Sequence, residues 1–238
     1  MPNCVISQPR FFPGLHYLHR MMVTDIFVIL DTVQFTPRHE ENRAKVKTPQ
    51  GPKWLTAPMR HVSRDQLIKD TTVDTTQDWQ KKIAQTIDTL YGKSPHFKTF
   101  GPEILSILEQ PHRSLTSLDR ATWAPALRLL GIECRFVCAS ELPVEGRGPR
   151  LLLDICKHLG ADGYLSGGSG RAYIDVQEFK SEGVSVTFHE YQTPVYPQPH
   201  GEFVPFLSYL DTLFNVGLQR ELALAGADRT SFEPASDR

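Results

Sequence analysis

The sequence predicts an α/β fold, a Rossmann-like parallel sheet core with a helical insertion, and three observations carry that prediction. Short apolar runs of strand length occupy residues 4–7 and 25–30, with a helical pattern between them. The second run is continuously apolar and is followed by Asp31, as expected of a strand buried on both faces of a parallel sheet. Strand, helix and strand in succession make a βαβ unit.

The elements follow in order. The first strand stops at Gln8 and Pro9. The helix after it opens near Pro13, a residue suited to a first turn, and turns Leu15, Tyr17, Leu18 and Met22 toward a core. Residues 53–59 read as a third strand. From residue 76 to 130 the period becomes helical. Trp79, Ile83, Ile87 and Leu90 recur at spacings of three or four, followed by Ile104, Leu105 and Leu108, and Pro111 and Gly131 divide the stretch into three or four helices. Strand character returns at 133–139, a helix over 150–159 is closed by Gly160, and strands follow at 163–166 and 184–189. A last helix is expected over 203–214. Residues 1–218 thus read as a single α/β domain with its insertion at about 76–130, and residues 219–238 as a poorly ordered tail without an apolar period.

Composition bounds the function. The 238 residues are 40% hydrophobic and 22% charged, with a formal net charge of −1. Without a basic excess, nucleic acid and anionic membrane surfaces are not expected partners. No apolar run approaches the roughly 20 residues of a membrane-spanning helix, and the first residues lack the pattern of a secretory signal, so the expected compartment is the cytoplasm. The four cysteines, at 4, 134, 138 and 156, include no C-x-x-C. Buried reduced thiols are the plainest reading. A zinc site at 134 and 138 and a nucleophilic Cys156 stand beside it. Neither a metal nor a cofactor is expected.

Ligands of open parallel sheets bind at the carboxyl ends of strands, which singles out three places. The first is Gln8 and Pro9 with the turn that follows. The second is Asp31 through Gln34, leading to Asn42, Arg43 and Lys45. The third is the glycine-rich loop from Ser166 through Gly167 and Ser169 to Arg171, whose backbone N–H groups, hydroxyls and guanidinium suit an anion or a carbonyl oxygen. That loop is neither G-x-G-x-x-G nor a P-loop, and a plain flexible turn is its competing reading. Asp31 could act as a base or orient an amine; a turn or cap carboxylate is the alternative. Arg43 and Lys45 could clamp a phosphate or simply belong to a solvated face. His16 and His19 share a helix face at i, i+3, which is compatible with metal ligation, but no nearby carboxylate completes a set.

Residues 7–13 with Tyr17, residues 25–35, the Asn42-Arg43 pair, residues 54–58, residues 160–167 with Arg171, Tyr173 and Asp175, residues 196–198 and residues 207–215 together resemble the WbqC-like family, from about residue 5 to 217. Two departures stand near the presumed site. His16 replaces the glycine that usually precedes the tyrosine of the first helix, and His39-Glu40-Glu41 stand where a tryptophan usually precedes the Asn–Arg pair. Family members resemble passengers of gene clusters for O-antigen, capsule and related biosynthesis. The resemblance therefore implies transfer of an activated, thioester-linked acyl or aminoacyl group to an amine, on a small-molecule substrate and with an acyl or peptidyl carrier protein as partner. Asp31 and His16 are then the candidate catalytic groups. Gln8, Tyr17, Gln34, Asn42, Arg43, Lys45, Ser166, Gly167, Ser169, Arg171, Tyr173, Tyr196 and Gln198 are the candidate substrate contacts. A looser likeness to the entry of HxGH nucleotidylyltransferases makes nucleotidyl transfer the alternative, and a non-catalytic carrier-binding module is the third reading.

Overall fold

The computed structural model describes residues 2–60 and 63–227. Its core is a five-stranded, wholly parallel sheet built from β1 (Asn3–Ser7), β2 (Ile26–Ile29), β5 (Arg135–Cys138), β6 (Gly163–Gly167) and β7 (Ser185–His189), in the spatial order β5-β2-β1-β6-β7. The chain builds outward from β1 through β2 to β5, then returns to add β6 and β7 on the other side. This is the Rossmann-like order, with its switch point between β1 and β6. β1 aligns Cys4 with Ile26 through Ser7 with Ile29 on one flank, and Asn3 with Gly163 on the other.

Alternation along β1 sorts the two layers. Val5 packs with α1 (Leu15–Met22) and the helical insertion, whereas Cys4 and Ile6 pack with α5 (Gly148–His158) and α6 (Val176–Ser181). The insertion is three helices, α2 (Trp79–Tyr91), α3 (Phe97–Glu109) and α4 (Leu115–Leu130). Ser114 caps α4 by accepting from the Ser117 N–H, and Gly131 ends it in the left-handed conformation. Trp123 of α4 packs its ring 5.9 Å from Tyr17 and 6.2 Å from Phe27, and its indole N–H donates to the Arg10 carbonyl at 2.7 Å. The insertion thus shares one core with the sheet and holds the loop after β1 in place.

Two expectations are corrected. The strand expected at 53–59 is β4 (Gly51–Thr56), which pairs antiparallel with β3 (Arg43–Thr48) outside the main sheet. A tight turn through Gly51, at φ +106°, can join antiparallel strands, whereas a parallel neighbour needs a long crossover. The helix expected over 203–214 is α7 (Tyr209–Val216). Pro205, Phe206 at φ +55° and the Ser208 cap hold the chain out of helix until Tyr209. The segment after 218 carries α8 (Arg220–Leu224), with Ala223 buried; residues 228–238 of the expected tail lie outside the described residues. No helix among the described residues is long and apolar enough to cross a membrane.

Candidate active site

At the switch point the connections leaving β1 and β6 diverge, and a cavity of ≈ 490 Å³ opens against their carboxyl ends. Ser7, Gln8 and Arg10 enter it from the loop after β1, and His16 and Arg20 from α1, one turn apart. Ser166 and Gly167 enter from the end of β6 with Gly168 and Ser169 just beyond it, His189 from the end of β7 with Tyr191 beyond it, and Phe206 from the segment before α7. Gly170 supports the loop after β6: a Cβ there would collide with Ser166 Oγ. Among the described residues, no aspartate or glutamate lines this space.

Its cationic character has a specific source. Two guanidiniums lie over the Tyr17 ring, Arg10 at 5.3 Å and Arg20 at 5.2 Å from its centroid, while its hydroxyl donates to the Gln8 carbonyl at 2.9 Å. Arg10 is paired with Glu40. Arg20 is 6% exposed, donates to Ser7 Oγ at 3.3 Å, and forms no ion pair among the described residues. Burial, and then the neighbouring Arg10 charge, push Arg20 down to about 10. At neutral pH it is therefore a buried cation facing a cavity with no carboxylate to answer it.

The histidines are neutral. Burial, followed by the Arg10 and Arg20 charges, holds His16 well below the ordinary range. Arg10 approaches His16 Nε2 at 2.9 Å, and because a guanidinium can only donate, the neutral ring carries its proton on Nδ1, an atom with no hydrogen-bond partner. His19 Nδ1 meets His189 Nε2 at 3.0 Å, the two rings stacked at 5.1 Å. Burial lowers His19 to about 4; burial and then the Arg20 charge lower His189 to about 3. His16 and His19 thus turn to different partners and do not converge on a metal.

Of the residues singled out by sequence, Gln8, His16, Ser166, Gly167, Ser169 and Tyr173 line the cavity. Tyr17 lies behind it, positioning the two arginines. Arg43 and Lys45 stack on Trp54, at 4.4 and 6.0 Å, and line an adjoining shallow cleft that shares Arg10 and Phe206 with the cavity. The others are elsewhere. Asp31, 3% exposed, accepts from the Ser140 N–H at 2.9 Å and from its hydroxyl at 2.7 Å, so both carboxylate oxygens are committed to fastening the turn after β5. Its expected place as a base is not met. Gln34 donates to the Arg64 carbonyl, and the Asn42 amide donates to the Ala57 carbonyl at 2.8 Å, bracing β4. Arg171 faces Glu190 and Phe188, Tyr196 donates to Asp211 at 2.9 Å, and Gln198 holds both sides of Val204. Cys156 is fully buried with its sulfur 3.5 Å from that of Cys4, whose thiol is pushed up mainly by that hydrogen bond and by burial. It does not line the cavity, which removes the nucleophile reading.

Sequence reading missed Arg10, Arg20, His189, Tyr191 and Phe206. His189 ends a strand and was open to the same rule that singled out Ser166. For Arg20 the signal was a cation set one turn after His16 in a helix whose other polar residue is His19.

Fold and site together define a Rossmann-like α/β protein with an anion-ready cavity at its switch point. The model of the WbqC-like protein family matches residues 8–221, and the chain belongs to that family. It is also 32% identical over 222 residues to the Mycobacterium tuberculosis (strain ATCC 25618 / H37Rv) protein named "Uncharacterized protein Rv1507c", covering 92% of this chain and 96% of that one. No solved structure matches the chain.

Proposed function

We propose that the protein is a group-transfer enzyme that grips the anionic part of an activated small molecule at the switch point and passes its acyl or aminoacyl group to an amine. The biosynthetic setting would be that of decorated amino sugars or specialised metabolites, with the donor a thioester, free or on a carrier protein. The single observation behind this reading is Arg20, buried and without a carboxylate, in a cavity lined by no acid. A buried unpaired charge is costly, and a bound phosphate or carboxylate would relieve that cost through a charge-assisted hydrogen bond.

The proton acceptor in this reading is His189 in place of Asp31: it takes the proton of the attacking amine as the C–N bond forms, and returns it to the thiolate that leaves when the C–S bond breaks. In the tautomer where His189 donates from Nε2 to His19, its Nδ1 is left as a base. A substrate anion beside Arg20 cancels part of the charge that keeps His189 neutral, so the ring becomes more basic when substrate is present. Hydroxyls and N–H groups of the loop from Ser166 to Ser169 face the carbonyl oxygen as negative charge develops on it. Incubation with acyl-thioester donors and an amino-sugar panel, read by mass spectrometry, tests the reaction. A mass gain that disappears in Arg20→Met and His189→Gln supports it; no gain across the panel contradicts it.

The same cations would also accept a nucleoside triphosphate, which keeps nucleotidyl transfer as a second reading. A flat calorimetric titration with ATP and CTP plus magnesium disposes of it.

A further inference from the structure

The cavity has two chemically different walls, and the alternation of β1 divides them. Ser7 turns toward α1, where Arg20, His16 and His189 gather. Ile6 turns toward α5 and is met there by Leu151 and Leu152 of that helix, with Leu30 after β2 packed on the same side; Val33, which packs with Phe35, Ile68 and Leu115, also lines the cavity. These five side chains are aliphatic, and the ring lining their side, Tyr164, is already stacked on Phe179 at 5.9 Å. Ile6, Leu151 and Leu152 are already buried, so the apolar surface left for a ligand to cover on this side is that of the half-buried Leu30 and Val33.

We propose that the α5 side of the cavity is an acyl subsite for a short aliphatic chain, joined in one molecule to the anionic group held by Arg20. This rests on the group-transfer reading and names the class of group transferred: one with an aliphatic body in preference to a sugar-like or charged one. The cavity volume of ≈ 490 Å³ is that of a small ligand, so the chain is short. Burial of each methylene against the wall strengthens binding about fourfold.

Methyl-, propyl- and pentylphosphonate carry one anion on chains of increasing length, and inorganic phosphate carries the anion alone. Titration calorimetry of the wild-type protein is expected to show affinity rising about fourfold per added methylene. In Val33→Thr, a nearly isosteric change at a half-buried loop position, and in Leu30→Asn, the pentyl-to-methyl affinity ratio should fall several-fold, with the melting temperature reporting that each variant is folded. A flat series in the wild type, with phosphate still bound, overturns the acyl subsite and leaves the anion reading standing. Absence of binding by phosphate and by every phosphonate overturns both.

Discussion

β1 and β2 end side by side at the same edge of the sheet, and each is followed by polar residues, yet the two ends have opposite fates. Beyond β2 the chain meets β5, and the turn after β5 folds over the strand end, so that Asp31 is consumed by two hydrogen bonds from Ser140. Beyond β1 the neighbour is β6, which the chain reaches only after reversing its direction across the sheet. The loops part there and leave a cavity, and Arg20 remains buried beside it with no ion pair among the described residues. A polar residue at a strand's carboxyl end marks a site only where the connections diverge. Elsewhere its bonding capacity is used up by the fold.

Several variants can sharpen or break this comparison. The largest effect should come from Asp31→Ala, which leaves the Ser140 donors unanswered and should cost about 3 kcal/mol of unfolding free energy, measured by urea titration, while phosphate affinity changes less than about threefold. Loss of binding to match the loss of stability would mean that the two strand ends are not distinct.

Next in size is a pH effect confined to the β1 and β6 end. His19 and His189 have folded values, about 4 and about 3, below the ordinary histidine value. Below pH 6.5 the unfolded chain takes up protons that the folded pair refuses, so stability is full above that pH and is lost as pH falls toward 4. His16, held down in the same way, adds to the decline, which is expected to be on the order of 1 kcal/mol per pH unit for each histidine, and His189→Gln should remove about a third of it. An unchanged slope in that variant would place the titration elsewhere.

The smallest effects belong to residues that sequence made attractive and the fold leaves on the surface. Arg171→Ala and Gln34→Ala should each shift stability by less than about 0.5 kcal/mol and leave phosphate affinity unaltered. A tenfold drop in Arg171→Ala would extend the site beyond the cavity wall.

The sheet was legible because its signals are local. A continuous apolar run, a helical period and a glycine-rich loop after a strand each depend on neighbours in sequence, and β1, β2, β6 and the loop through Ser166 and Gly167 follow from them. Of the candidate site, Gln8, Ser166, Gly167 and Ser169 could be singled out for the same reason, as residues at or just beyond strand ends. What could not be read was the balance of charges, which depends on partners far apart in the chain. Asp31 looks available until Ser140, 109 residues later, occupies it. Arg20 looks like an ordinary surface cation on α1 until folding buries it against Ser7, while the nearby Glu40 is held by Arg10 and no carboxylate among the described residues pairs with Arg20 itself. The hairpin and the late start of α7 were missed because Gly51 and Phe206 set the chain direction through positive φ angles that an apolar pattern does not encode.

Arg20→Met offers the most direct test, since it keeps the packed stem and removes the charge. Titrated with inorganic phosphate, wild-type protein should bind and the variant should bind on the order of a hundredfold more weakly. Without ligand, the variant should melt no lower than wild type, because an unpaired buried charge has been taken away. Equal phosphate binding in the two proteins, or a variant that binds weakly only because it has unfolded, would contradict an anion site organised around Arg20.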